Sequence, residues 1–263
     1  TYIGEDAFLE CTSLTTLKLP ASLEEVGVNF AANSGITSFT VEDGNKYFTV
    51  DGGVVYSADK LVLYAAPTKG LYELTVPSGC IGIYGGAFSG SEIKSVTLPE
   101  GFLAVDNYAF CESALENINL PSSIVMIGEQ AFAATQLTEV TLPAHTETLY
   151  SAAFAACEKL ATVTIPSGLK FMYNRAFYGC TALKTVNCLG SKAPELEEIY
   201  EAYESQFYGV EGATLYVPKG CTASYDDAGY GDYFDIVETA NGVLTAVSTT
   251  PATDSTVEPG WMS

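Results

Sequence analysis

A β-rich solenoid of stacked rungs with short parallel strands is the fold class the sequence predicts, on three observations. An Ala-Phe pair ends at Phe8, Phe88, Phe110, Phe132, Phe154 and Phe177, with a weaker copy at Phe30; the steps are 22 residues from Phe8 to Phe30 and then 22, 22, 22 and 23 from Phe88 onward. Between the pairs lies one short apolar run that usually closes on Pro, as in "LTTLKLP", "LYELTVP", "IKSVTLP", "LENINLP", "LTEVTLP" and "LATVTIP". The apolar residues in the last four positions of each run alternate with polar ones, the period-two signature of a strand with one buried face. A unit this short cannot bury two apolar edges alone, but stacked copies can, each covering the next.

The elements follow in chain order. "TYIGEDAF" reads as the second half of a unit, so an upstream half is expected. In each full unit Pro ends the strand because it has no N–H to give a ladder. Two apolar residues three apart follow, such as Ile124 and Ile127, then a turn and the Ala-Phe. Proline-free copies stand at "ITSFTVE" (36–42) and "LKTVNCL" (183–189), and a shortened one at "ATLYVP" (213–218). With strands roughly 4.8 Å apart, about nine rungs give a spine of roughly 40 Å carrying one internal column of Phe. Each buried ring favours folding by roughly 1.5–3 kcal/mol, and the small Ala before it suits a crowded bend.

The pattern "LxxLxLP…IxxIxxxAFxxCxxL" resembles the BspA-like leucine-rich repeats of bacterial (Bacteroidales-type) cell-surface proteins, over about residues 1–190. The family's Cys three residues after Phe is matched by Cys11, Cys157 and Cys180. The units after Phe88, Phe110 and Phe132 are one residue shorter and hold Ser91, Ser113 and Thr135 near that place. A cysteine that some rungs discard reads as filler.

Phe30 and Phe88 are 58 residues apart, one unit of 22 plus about 36. Within the gap, residues 45–70 hold three apolar runs separated by Asp51-Gly52-Gly53 and Ser57-Ala58-Asp59-Lys60. That turn chemistry predicts an inserted β-hairpin island projecting from the solenoid edge, and similar islands interrupt BspA-like arrays. Residues 191–238 are expected to form a short acidic helix plus a capping strand segment. Leu196, Ile199, Tyr200 and Tyr203 fall at helical spacing within residues 193–207. Residues 213–238 resemble the closing segment of related proteins, and an open solenoid needs its last rung hidden. Residues 239–263, with the only Trp, Trp261, read as a Thr/Ser/Pro-rich tail or linker. Their "NGVLTAVS" opening resembles the lead-in to the sorting or anchoring segments of surface proteins.

Eleven basic residues against 32 acidic ones leave a net charge of −21. Such a surface repels phosphate backbones and anionic lipid headgroups, so neither nucleic acid nor membrane insertion is expected. No apolar run approaches the roughly eighteen residues needed to span a bilayer.

Catalytic chemistry finds little support in the residues. The one histidine, His145, sits in the loop after Pro143, and no nucleophile elbow surrounds any Ser. Seven cysteines cannot all pair within one chain and include no CxxC. Cys157 and Cys180, one rung apart, read as stacked buried thiols, with a disulfide or a metal as the alternative. Acidic clusters at Glu195/Glu197/Glu198/Glu201/Glu204 and Asp226/Asp227/Asp232/Asp235 match no calcium loop and read as solvated faces. No catalytic residue, metal or cofactor is therefore expected, and no enzyme.

What the repeat leaves outside the core is two columns of polar residues on the exposed sheet. The candidate ligand-binding residues are Thr75, Ser95, Thr97, Asn117, Asn119, Glu139, Thr141, Thr162 and Thr164. Thr suits an exposed strand and pairs well with itself, which accounts for these columns without any ligand. The functional alternative is a concave, hydrogen-bonding platform. Tyr47, Phe48, Tyr56 and Tyr64 of the island are a second contact region, or simply hairpin packing. The resemblance implies a non-catalytic, secreted or surface-anchored, monomeric module for protein binding or adhesion, with a signal peptide upstream. Its partners would be host extracellular proteins or bacterial surface proteins. The alternative is a spacer or stalk that presents a neighbouring domain and has no ligand of its own.

Overall fold

The computed structural model describes residues 1–239, so all of the expected tail but Thr239 lies outside the described residues. The chain winds into a β-solenoid of about 11 turns, against the nine expected. Each turn carries a front strand, a corner, a two-residue return strand and a bend. In Thr162–Ile165 the β alternation places Val163 and Ile165 inside and Thr162 and Thr164 outside. A full turn brings the chain back in the same direction, so neighbouring front strands pair in parallel with equivalent residues in register. Glu139 stands beside Thr162, Thr162 beside Thr185, and Thr185 beside Thr214.

At the bends the Phe column forms from Phe88 onward, but Phe8 and Phe30 are outside it, Phe30 packing instead in a separate core. Rings stack from Phe88 through Phe110, Phe132 and Phe154 to Phe177 at 4.8, 5.3, 5.1 and 5.6 Å, with planes within 10° of parallel. Backbone bonds hold the bends together; Phe110 N–H donates to Ala131 C=O at 2.8 Å and Phe132 N–H to Ala153 C=O at 2.9 Å. Ala109, Ala131 and Ala153, each before its Phe, are fully buried. The bend needs left-handed backbone two residues before the ring, and Tyr108, Gln130, Ala152 and Arg175 adopt it at φ of 58°, 51°, 54° and 55°. Such a φ costs a non-Gly residue roughly 1 kcal/mol or more, so the stacked ring and its ladder must hold each bend in place.

Two expectations change. The hairpin meander exists, as Phe48–Asp51, Val54–Ser57 and Val62–Ala65, but it does not project. Val62–Ala65 pairs in parallel with Gly82–Ile83, and the island becomes part of the return sheet. Successive side chains of a strand point to opposite faces, and here both faces are apolar. Val54, Tyr56 and Leu63 join the main core, whereas Phe48, Val55 and Ala65 join a separate N-terminal core. The island is thus a wall between two cores, and Phe30 tilts 56° against Phe39 on the far side of it.

The second change concerns residues 193–207, where no α-helix forms. Glu195–Leu196 is a return strand on Phe171–Met172, and only Ala202–Glu204 makes a 3-10 turn. Phe207 extends the column by stacking 5.8 Å from Phe177. The helical spacing had no core to serve, since Tyr200 is 95% exposed, while burying Phe207 rewards one more rung. The cap closes over it. Ala213–Val217 and Phe234–Glu238 continue the front sheet, and the helix Thr222–Asp227 packs Tyr225 inward. The buried Tyr225 and Tyr230 hydroxyls donate to the Gly190 and Pro194 carbonyls at 2.7 and 3.3 Å.

Candidate binding face

Eight of the nine candidate residues lie on front-sheet strands and Asn119 directly follows one, Asn117–Ile118; each is exposed or half-buried. Thr75 pairs with Thr97, Ser95 with Asn117, and Thr141 with Thr164. This much follows from the alternation, because a strand with its apolar side chains inside must turn the others outward.

The face is not continuous, however. Among the described residues no ladder pairing joins Asn117–Ile118 to Glu139–Thr141, and the front sheet parts there into separate pieces. Elsewhere the rungs are tied just before each strand by bonds such as Asn117 N–H to Lys94 C=O at 2.9 Å and Thr185 N–H to Ala161 C=O at 3.1 Å. They are tied again just after it, as in Val76 N–H to Thr97 C=O and Leu142 N–H to Thr164 C=O, both 2.9 Å. The counterparts from Glu139 to Glu116 and from Leu120 to Thr141 do not form. Asn119 marks the spot. Its amide takes the place of a strand backbone: Oδ1 accepts from Leu98 N–H at 2.7 Å and Nδ2 donates to Leu98 C=O at 3.0 Å. Asn119 is therefore already engaged in tying its rung to the one before it.

Where the ladder parts, a groove of about 350 Å³ opens over Val96, Ile118 and Leu137. Ser95, Thr97, Glu116, Asn117, Thr138 and Glu139 line its sides. Lys94 lies 3.6 Å from the Glu116 carboxylate, while no ion pair among the described residues uses Glu139. Thr141 shares a strand with Glu139 but does not line the groove, and Thr162 and Thr164 stand on the rung beyond. Asn119 sits where Thr97, Thr141 and Thr164 stand in neighbouring runs, but Asn187 holds the same place in a ladder that stays closed, so the residue type alone did not signal the groove.

The other candidate features serve the fold. His145 Nδ1 shares a hydrogen bond of 2.6 Å with the Ser122 carbonyl, tying two corner loops across the same parting. All seven thiols are free. Cys157 and Cys180 donate to the Phe132 and Phe154 carbonyls of the preceding rungs, both at 3.1 Å. Ser113, at the equivalent place, donates instead to the Phe110 carbonyl of its own bend at 2.7 Å. Its Cys157 neighbour and burial together push the Cys180 thiol far up, and burial alone pushes Cys188 up to about 12. Neither is a thiolate at neutral pH. Among the described residues no three His, Cys, Asp or Glu side chains converge on one point.

The island offers less surface than its aromatics suggest. Phe48 and Tyr56 are core, and Tyr64 is packed between Phe48 and Tyr84 at 5.1 and 4.9 Å, leaving Tyr47 as the exposed ring. Sequence reasoning missed a different aromatic surface around the last bends. Tyr150 stacks on Tyr173 at 5.7 Å, Tyr178 on Tyr208 at 5.3 Å, and Arg175 lies 5.5 Å over Tyr203. The recurrence of Tyr four residues before Phe154 and Phe177 was the signal available.

Six copies of the BspA type leucine rich repeat region match residues 1–51 and 64–187, more than half of the chain. The chain belongs to that family. The gap in the match falls on the island, where the BspA-type repeat gives way to antiparallel hairpins. No curated protein sequence matches the chain. Among solved structures, it is similar to the pneumococcal vaccine antigen PcpA, with a TM-score of 0.75 and 23% identity over 90% of this chain and 59% of that one. It is also similar to a leucine rich cell surface protein from Faecalibacterium prausnitzii, with a TM-score of 0.65 and 25% identity over 80% of this chain and 55% of that one. A leucine rich repeat protein of T. pallidum shares the fold, with a TM-score of 0.52 and 20% identity over 70% of this chain and 94% of that one. The BspA-type chain thus spans 59% and 55% of the first two proteins.

Proposed function

We propose that this BspA-type chain is a non-catalytic protein-binding module of a bacterial cell-surface protein, and that it makes its contact through the front sheet. The observation that carries the reading is the groove at the parted ladder, which is lined by five of the nine candidate residues: Ser95, Thr97, Asn117, Asn119 and Glu139. The parallel ladder on each side of the parting holds its own groups at fixed spacing, so a partner that binds them need not order them first. The surface setting rests on the likeness to a leucine rich cell surface protein. We take the module to act as a monomer, since its last strand among the described residues, Phe234–Glu238, exposes the charge of Asp235, which discourages pairing with a second copy.

Surface plasmon resonance of the whole chain against a panel of host extracellular and bacterial surface proteins tests the reading. Changing Thr97, Thr141 and Thr164 together to Arg should abolish binding to any partner found, with no change in melting. Affinity that survived the triple change would rule out the front face. A second reading, a spacer that presents a neighbouring domain, is favoured by the unbroken Phe stack from Phe88 to Phe207, which makes a stiff rod. A spacer would bind nothing on the panel.

A further inference from the structure

We propose that the groove between Asn117–Ile118 and Glu139–Thr141 receives an arginine side chain from an exposed segment of a partner protein. This rests on the front-sheet reading above and names the chemistry that the face selects.

The groove is acidic and rich in acceptors. The parted ladder leaves the carbonyl of Glu116, one of its lining residues, without the backbone donors that the counterparts Lys94 and Thr138 receive from the next rungs. Two carboxylates stand on its sides. Glu116 is shared with Lys94 at 3.6 Å, and Glu139 has no cation within ion-pair distance among the described residues. Asn117, Ser95 and Thr138 add neutral hydrogen-bonding groups. Along the floor, Val96, Ile118 and Leu137 offer apolar surface to an alkyl stem.

A guanidinium on a three-carbon stem answers each of these features. Its five N–H donors lie in one plane and can satisfy a carboxylate in fork geometry while reaching carbonyl oxygens as well. It is more weakly hydrated than an ammonium and so costs less to bring into a partly dry groove. Its stem covers apolar floor while the charge stays at the carboxylate. The chain's net charge of −21 draws a basic segment in and repels phosphate and other anions. A whole extra strand is not required of the parted ladder, because the bends on either side remain bonded, with Phe132 N–H donating to Ala153 C=O at 2.9 Å. The space between them suits a side chain.

The test is titration of the isotope-labelled whole chain with the peptide acetyl-Gly-Arg-Gly-amide, followed by the amide signals in NMR. Saturable shifts are expected at Asn117, Ile118, Thr138 and Glu139. The citrulline analogue, equal in shape but neutral, should leave them in place. Glu139→Gln should weaken the peptide roughly tenfold or more, the loss of one charge-assisted hydrogen bond, with melting unchanged. Lys94→Ala, which releases Glu116, should tighten it. Equal shifts with citrulline, an unchanged affinity in Glu139→Gln, weaker binding in Lys94→Ala, shifts that map elsewhere, or no saturable shift would each overturn the arginine assignment. Those outcomes leave the front-sheet reading to its own test, the loss of a protein partner in the triple arginine variant.

Discussion

Replacing Phe132 by Ala removes the middle ring of the column. Phe132 is fully buried and stacks on Phe110 at 5.3 Å and on Phe154 at 5.1 Å. Truncating a buried Phe to Ala costs about 3–5 kcal/mol in lost transfer energy and cavity, and each stacked pair contributes about 0.5–1.5 kcal/mol beyond area. Both neighbours are lost here, so the upper part of that range applies, about 4–5 kcal/mol. That is a large share of the roughly 5–15 kcal/mol that holds a domain. Rungs couple only to their neighbours, so the damage should also weaken cooperation across the column and split one unfolding transition into two. Phe8 is the control. It is half-buried at the first bend, and Phe8→Ala should cost about 1–2 kcal/mol. Urea unfolding followed by far-ultraviolet circular dichroism measures both. A cost for Phe132→Ala below about 1.5 kcal/mol, or one no greater than for Phe8→Ala, would refute the column as the main source of rung-to-rung stability.

Three further outcomes are expected. In the native chain a thiol reagent should reach the exposed Cys11 quickly and the part-exposed Cys221 and Cys111 more slowly, while Cys80, Cys157, Cys180 and Cys188 wait for unfolding. Burial pushes Cys111 up to about 11, which slows it further, and fast labelling of Cys157 would contradict the packing described. Burial also raises the Asp106 carboxyl above its usual range, so the folded chain keeps that proton to higher pH than the unfolded one. The stability from this group is full below the usual carboxylate value of about 3.9 and is lost as pH rises through the raised one. Asp106→Asn should therefore raise the urea midpoint at neutral pH and leave it unchanged in acid; equal midpoints at neutral pH would sink the claim. Finally, Asn119→Thr restores the residue type found at Thr97 and Thr141, and should close the ladder and the groove together. Hydrogen exchange at Leu120 should slow as its N–H finds the Thr141 carbonyl, and arginine-peptide binding should fall; unchanged exchange at Leu120 would show that the side chain at 119 does not set the break.

Much of the fold was legible because a repeat tests itself: one period-two run is ambiguous, but six in phase fix which residues face in. The nine candidate residues were legible for the same reason. The helix expected at residues 193–207 failed because spacing alone does not say whether a core lies opposite; there was none for Tyr200, and there was one for Phe207. The projecting island failed likewise. Its alternation showed strands, but nothing local shows that both faces of Val54–Ser57 meet a core, since the second core is built from residues before the insertion.

By itself the sequence determined the period, the inward Phe at each bend, the parallel direction of stacking and the net negative charge, because each depends on residues within one turn of one another or on simple sums. Only the tertiary structure decided that the island divides the core and that Phe207 adds a rung. It also decided that the front ladder parts beside Asn119. Those outcomes depend on which backbone groups meet across rungs 22 or more residues apart: the Leu98 backbone takes an amide side chain in place of a neighbouring strand, and a groove opens where the next rung would have closed it.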